Sequence, residues 1–285
     1  MVREEYLRSL KHREAEEVLD LFFYRPVAFV VVRIIAPTGI TPNQVTLLSL
    51  AAGLVAAREF STGMTSSLAA GALWYMLANI LDCADGQLAR LKNSGTPMGR
   101  MIDGIADYLS GAAIFIGIGI GCAAEGYPEW WLVAAGAASS ILHAVFFDRY
   151  QGEYISAVRT SAGAGSSSGG SHPYESLRSA PGAMGILYRF YERTQVRIAM
   201  HRNRSGPDPA SYAEINRPLI RYWSFLGPTT NRSLLIVCAL AGQLSWYLRI
   251  LCLAGNAFLI LMLVLTRLAH RKLNRPQTAG SIRQY

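Results

Sequence analysis

Six stretches of mostly apolar residues constrain this chain more than any other feature: Ile40–Ala57, Thr65–Leu81, Ile102–Ala123, Trp130–Phe147, Ser233–Leu248 and Ile250–Thr266. An α-helix needs about 20 such residues to cross a bilayer, and each stretch meets or approaches that length. The composition agrees. Hydrophobic residues make up 51% of the 285 positions and charged residues 16%, against about 25% charged in an ordinary soluble domain. The expected fold is an all-α integral membrane protein, a bundle of six transmembrane helices. Pro26–Ala36 is also apolar, but Arg25, Pro26, Arg33 and Pro37 interrupt or bound it, so it is not counted as a span.

The segment before the first span mixes acidic and basic residues (MVREEYLRSLKHREAEEVLD) and has no leading apolar run, unlike a cleavable signal peptide. Leu7, Leu10, Val18 and Leu21 suggest an amphipathic helix on the membrane surface, with a solvated charged helix as the alternative. Residues 1–40 are thus expected to be an interfacial segment, and residues 41–285 the membrane domain.

Lys and Arg are enriched on the cytoplasmic side of membrane proteins. With six spans and an internal N-terminus, the external loops hold only Arg58 and Arg249 beside Glu59, Glu125 and Glu129. The other basic residues fall inside, among them Arg90, Lys92 and Arg100, a long run from Arg149 to Arg232, and the tail residues Arg267, Arg271, Lys272, Arg275 and Arg283. The net charge of +8 is therefore one-sided, suited to anionic leaflet lipid and phosphorylated substrates rather than to nucleic acid. Cys83, Cys122, Cys238 and Cys252 lie in or beside apolar stretches without metal-ligand spacing, and read as small packing residues.

Between the fourth and fifth spans lies an insertion of about residues 150–230. Ser161–Ser171 is rich in Gly and Ser, as in a flexible loop. Met184–His201 has apolar and aromatic residues at helical spacing, suggesting a helix against the membrane or across the site mouth, or a plain surface helix.

Carboxylates near the second and third spans carry the chemistry, because ionisable groups in such segments are costly and mark function. Asp82 and Asp85 are three residues apart and Asp103 and Asp107 four, so each pair shares a helix face. The turn NSGTP folds the two helices back on each other and brings the pairs together. Four neighbouring carboxylates disfavour one another's ionisation, and divalent cations relieve that repulsion. Oxygen-only ligands suit Mg²⁺ or Mn²⁺, and a pair of such ions is a common clamp for displacement at phosphorus. Gly86 and Gly99 open the two helix faces, Ala89 lies one turn beyond Asp85, and Arg90 can donate bidentate hydrogen bonds to a diphosphate.

Asp82, Asp85, Gly86, Ala89, Arg90, Gly99, Asp103 and Asp107 match the D-x2-D-G-x2-A-R-x8-G-x3-D-x3-D signature. On these residues the chain resembles the CDP-alcohol phosphotransferases. Pro42-Asn43-Gln44-Val45-Thr46 also looks like the P-N-x-x-T that opens the first span in that family. The resemblance covers roughly Leu21–Phe147 and leaves the insertion unexplained. It implies that Asp82, Asp85, Asp103 and Asp107 hold two divalent cations, with Asp107 as general base. It further implies that Arg90 contacts the diphosphate of a CDP-linked donor, that Gly86, Ala89 and Gly99 shape the cytidine pocket, and that Asn43 and Thr46 lie nearby. A polar alcohol would be the acceptor, CMP the product and a homodimer the assembly. Arg100, Arg149, Arg193 and Arg197 are candidates to receive a phosphorylated polyol such as inositol phosphate, or are ordinary membrane anchors. Gly117 and Gly121 would permit close helix contacts, between subunits or within one.

Two other classes use acidic residues in membranes. A prenyltransferase acting on an isoprenoid diphosphate would release pyrophosphate rather than CMP, and Gly86, Ala89 and Arg90 have no role there. An ion channel or transporter would place its carboxylates near the bilayer midplane, whereas these lie next to Arg90 and Lys92.

Overall fold

The computed structural model describes residues 2–10, 14–124, 126, 129–162 and 208–273. Within them every regular element is a helix. α1 (Val2–Ser9) is followed by a π-helical turn, Asp20–Tyr24, that runs directly into α2 (Arg25–Ile35). α3 (Pro42–Ser61), α4 (Thr65–Leu91), α5 (Pro97–Ala124) and α6 (Trp130–Ser161) form the first part of the bundle. α7 (Pro209–Trp223) packs back on α6, and α8 (Pro228–Leu240) leads to α9 (Leu244–Ile250). A second π-helical turn, Leu251–Gly255, joins α9 to α10 (Asn256–Leu273).

Local chemistry sets the ends that matter for the site. Thr41 caps α3 by accepting from the Gln44 N–H while the Gln44 side chain accepts from the Thr41 N–H, a reciprocal box with Pro42 in the first turn. α4 ends where Asn93 adopts a left-handed φ of 49° and the Ser94 N–H bonds the Ala89 carbonyl at 3.0 Å. Asparagine tolerates that conformation better than most residues, and the short turn returns the chain as α5.

Four of these segments are long and apolar enough to cross a membrane: Thr65–Leu91, Pro97–Ala124, Trp130–Ser161 and Leu244–Arg271. The chain is an integral membrane protein. α3 and α8 complete the bundle without meeting that measure alone. Large apolar side chains such as Leu47, Leu48, Ile116, Trp131, Ile141 and Leu253 point outward, as lipid-facing residues do.

One boundary differs from the sequence expectation. The fifth and sixth apolar stretches were expected to part near Arg249, but α8 stops at Leu240 and the chain reverses at Gly242, with φ of 68°. Glycine supplies the positive φ needed there. A single arginine does not break a helix, and Arg249 stays helical with its guanidinium 3.9 Å from Glu129.

α3 packs along both α4 and α5. Cβ atoms at Gly117 and Gly121 would collide with the carbonyls of Ala57 and Phe60, and one at Gly53 with the Ser110 hydroxyl. Both Gly117 and Gly121 are therefore used inside one chain, bringing α5 against α3. The main core joins Phe60, Leu68, Ile114, Ile118, Leu235 and Leu248, and a second surrounds Trp223 with Phe147, Tyr154 and Met262.

The N-terminal part inverts the pattern expected of it. α1 ends at Ser9, so Val18 and Leu21 lie beyond it. Glu16, Glu17 and Asp20 are buried whereas Phe22, Val30 and Ile34 are exposed. Residues 14–25 act as a strap. Gln151 donates to the Ala15 carbonyl at 2.6 Å, Tyr154 and Arg217 both bond Glu14, and Gln87 donates to the Arg25 carbonyl at 3.1 Å. α6 extends to Ser161, taking up the start of the expected insertion. Met184–His201, with Arg193 and Arg197, lies outside the described residues.

Gly117→Val should lower the thermal midpoint in detergent, by about 1–3 kcal/mol of stability, while Gly111→Ala, which meets nothing within 4 Å, should leave it unchanged. Burial, helped by the charge of Asp20, pushes the Glu17 carboxyl from its ordinary 4.5 up to about 7. In that window the folded chain holds a proton that the unfolded chain has released, so stability falls as pH rises from 4.5 through about 7. Asp20 is raised in the same direction, also by burial. Thermal scans at pH 5 and 8 should show the fall, and Glu17→Gln should flatten it.

Candidate active site

α4 and α5 are joined by the short turn at Asn93, and side chains from both helices reach one cluster. Asp82, Asp85 and Asp103 each offer a carboxylate oxygen, and these three oxygens lie within 4.8 Å of one another. Asp85 is buried and Asp82 and Asp103 are half-buried. The Thr46 hydroxyl, from the first turn of α3, lies 2.5 Å from Asp85 Oδ2 and donates to it. Three carboxylates so close in a largely apolar bundle cannot all remain ionised without cations, and their oxygen-only donor set fits a hard divalent ion.

The fourth aspartate is placed differently. Asp107 is exposed, and its Oδ1 accepts from Arg232 Nη2 at 2.7 Å. Arg232 Nη1 donates to Asp82 Oδ2 at 2.9 Å and to Asn79 Oδ1 at 3.0 Å. One guanidinium from α8 therefore bridges both aspartate pairs and supplies a positive charge within the cluster.

Arg90 folds back over Gly86, its guanidinium nitrogens 3.5 Å from where a Cβ would stand. Its Nε donates to the Ser9 carbonyl, and its Nη2 is buried without a hydrogen-bond partner among the described residues. An unmet donor on a buried cation beside a glycine is a suitable contact for an anion such as a diphosphate. Asn43 Oδ1 lies 3.1 Å from the Cβ that Gly99 lacks, so that glycine lets the starts of α3 and α5 approach. Thr46 thus reaches Asp85, and Arg90 lies over Gly86, the residue after Asp85. Arg149 is directed to Glu153, at 3.1 Å, whose other oxygen accepts from Tyr212 at 2.8 Å. Arg100 is exposed on the first turn of α5.

The sequence reading placed Arg232 among inner-face anchors and assigned it no role in the site. A signal existed. A cation in the first turns of a helix sits at the positive end of the dipole, an unfavourable position unless anions face it.

Comparison with known proteins bears on the same region. Residues 39–165 match the family model for CDP-alcohol phosphatidyltransferase. That stretch, just under half of the chain, is similar to a CDP-alcohol phosphatidyltransferase domain. It contains all four aspartates, Asn43, Thr46, Gly86, Ala89, Arg90 and Gly99, whereas Arg232 and the strap lie outside it. The chain is similar to the phosphatidylinositol phosphate synthase of Mycobacteroides abscessus, 30% identical over 125 residues, 44% of this chain and 51% of the relative. It is similar to the archaetidylinositol phosphate synthase of Pyrococcus horikoshii, 37% identical over 87 residues, 30% of this chain and 45% of the relative. It is also similar to human cholinephosphotransferase 1, 26% identical over 122 residues, 40% of this chain and 30% of the relative. The chain therefore spans about half or less of the length of these curated relatives.

If the three-carboxylate cluster of the matched stretch holds a cation, Asp85→Ala should weaken Mn²⁺ binding at least about tenfold in titration calorimetry. Asp107→Ala, whose oxygen lies on Arg232, should weaken it less. Chelation of the purified protein should lower its thermal midpoint through the lost binding energy.

Proposed function

We propose that this protein is a membrane CDP-alcohol phosphotransferase. It transfers a phosphatidyl or substituted phosphoryl group from a CDP-linked donor, with CDP-diacylglycerol the favoured candidate, to the hydroxyl of a polar alcohol, and releases CMP. The supporting observation is the convergence of Asp82, Asp85 and Asp103 within 4.8 Å beside the unmet donor of Arg90, inside a matching domain. Two similar proteins are named for inositol phosphate lipids and one for choline. Inositol or inositol phosphate is the acceptor we favour, because Arg232 adds a phosphate-binding guanidinium to the site.

Asp82, Asp85, Asp103 and Asp107 are the residues to hold two divalent cations, Mg²⁺ or Mn²⁺, which when bound neutralise phosphate charge and stabilise the departing CMP. The chain's own groups do the rest. Arg90 binds the donor diphosphate, while Gly86, Ala89 and Gly99 leave room for the cytidine between α4 and α5, with Asn43 and Thr46 at the opening. Thr46 holds Asp85 in place. Asp107, exposed and freed when Arg232 turns to phosphate, takes the proton of the acceptor hydroxyl. The acceptor oxygen forms its bond to phosphorus as the bond from phosphorus to the CMP oxygen breaks, and the proton stays on Asp107. A positioned base contributes about 10²- to 10⁴-fold, and alignment of the reactants much of the remainder.

We read α3 and α8 as spans in addition to the four longest helices, giving six, with the strap at the cytoplasmic interface. On this reading the site faces the cytoplasm, the side that carries Arg90, Lys92 and Arg100. At the other end Arg58 and Arg249 lie beside Glu59 and Glu129. A homodimer would use faces other than Gly117 and Gly121.

The test is CMP release by protein purified in detergent with Mg²⁺ or Mn²⁺ and CDP-diacylglycerol. Inositol, inositol phosphate, serine, glycerol phosphate, choline and ethanolamine should be compared as acceptors. Turnover with one of the inositol acceptors is expected, and Asp107→Asn should abolish it while donor binding persists. Pyrophosphate release from an isoprenoid donor, or ion flux without turnover, would overturn the proposal.

A further inference from the structure

The strap's acidic residues lie outside the matched domain, and one of them is set against the helix that carries Arg232. Glu17 is 3% exposed. Its Oε1 accepts from the Thr229 N–H at 3.0 Å, and its Oε2 accepts from the Thr230 N–H at 2.9 Å and the Thr230 hydroxyl at 3.0 Å. The first N–H groups of a helix have no partner within it, and the N-cap position of α8 is Gly227, which offers no side chain. A Cβ at Gly227 would collide with the Glu17 carboxylate. The glycine therefore admits a carboxylate from a segment some two hundred residues away, and the α8 N–H groups and dipole offset part of what burial costs its charge.

Two residues after Thr230 comes Arg232, whose guanidinium spans Asp82 at 2.9 Å and Asp107 at 2.7 Å. We infer that Glu17 is a positioning residue for Arg232: by capping α8 from the strap, it fixes the first turn of that helix and so the point where the guanidinium meets the two aspartates. The strap is itself held at both sides, by Gln151 on the Ala15 carbonyl and by Gln87 on the Arg25 carbonyl, so it can act as a fixed reference. The inference rests on the proposed transfer reaction only for its kinetic readout.

The experiment compares Glu17→Ala, Arg232→Ala and the double variant in the full chain. Amide hydrogen exchange at Thr229 and Thr230 should speed up about tenfold in Glu17→Ala and remain near wild type in Arg232→Ala, whose carboxylate cap is intact. Mn²⁺ titration supplies a coupling test that needs no turnover. Loss of the Arg232 charge beside Asp82 should tighten Mn²⁺ binding about tenfold. Glu17→Ala should shift it the same way by a smaller factor, and the double variant should match Arg232→Ala alone. In CMP release, Glu17→Ala should lose about 10- to 100-fold, mainly in kcat, again with no further loss in the double variant, and Glu17→Gln should recover part of it. Additive effects in the Mn²⁺ cycle, or unchanged exchange in Glu17→Ala, overturn the inference. If Glu17→Ala does not fold, Glu17→Gln and Gly227→Ala run through the same cycle, with shifts in the same direction, smaller for Glu17→Gln, and none added in combination with Arg232→Ala. A wild-type protein that releases no CMP removes the functional reading, and the exchange and Mn²⁺ results then decide the positioning role on their own.

Discussion

The structure is organised around a charge problem. Asp82, Asp85 and Asp103 place carboxylate oxygens within 4.8 Å of one another, and Asp107 follows one turn further along α5. Such a group in a membrane protein is tolerated only where cations and hydrogen-bond donors are brought to it. The surrounding segments supply them: Thr46 from α3, Arg232 from α8, and Arg90 close by on α4. The bundle is best understood as a frame that delivers these groups to one place. Part of the charge is met by the chain itself, and the donor set left around Asp85 suits a divalent ion.

That delivery depends on close backbone approach. α3 meets α4 where Thr46 bonds Asp85, and on its other side Gly117, Gly121 and Gly53 let α5 lie against it without intervening side chains. Between apolar helices in lipid, such van der Waals contact takes the place of the hydrophobic drive available in water. Packing and chemistry are therefore linked here. A side chain at Gly117 would push apart the helices that carry Thr46 and Asp103, far from either residue.

Much of this was legible in the sequence, for identifiable reasons. The spacing of Asp82, Asp85, Asp103 and Asp107 fixes which residues share a helix face, and a short turn such as Asn93–Thr96 leaves the chain little choice but to double back. Apolar length located the long helices. What the sequence concealed were contacts between distant segments. Arg232 is separated from Asp82 by 150 positions, and as a lone basic residue at a helix start it looked like an anchor. Glu16, Glu17 and Asp20 looked solvated because acidic residues usually are, and nothing local reveals that α8 needs a cap. The turn at Gly242 was hidden for a different reason: hydropathy is continuous across it, and Arg249 offered a more conspicuous but false boundary.

The division between the legible and concealed parts coincides with a division of roles in the proposed mechanism. The aspartates, Thr46, Arg90 and Gly99, which read as the cation- and diphosphate-binding half of the site, fall within residues 39–165 and their family match. Arg232 and Glu17 fall outside it. A domain that binds a common CDP-linked donor can keep one arrangement whichever alcohol is accepted, but the acceptor must be met by groups suited to its own charge and size. Arg232 approaches Asp107, the base in the proposed mechanism, from α8, on the side where an acceptor hydroxyl has to lie for its proton to be taken. Acceptor choice would then depend on where α8 begins, and in this chain that point is set by a carboxylate from the N-terminal strap.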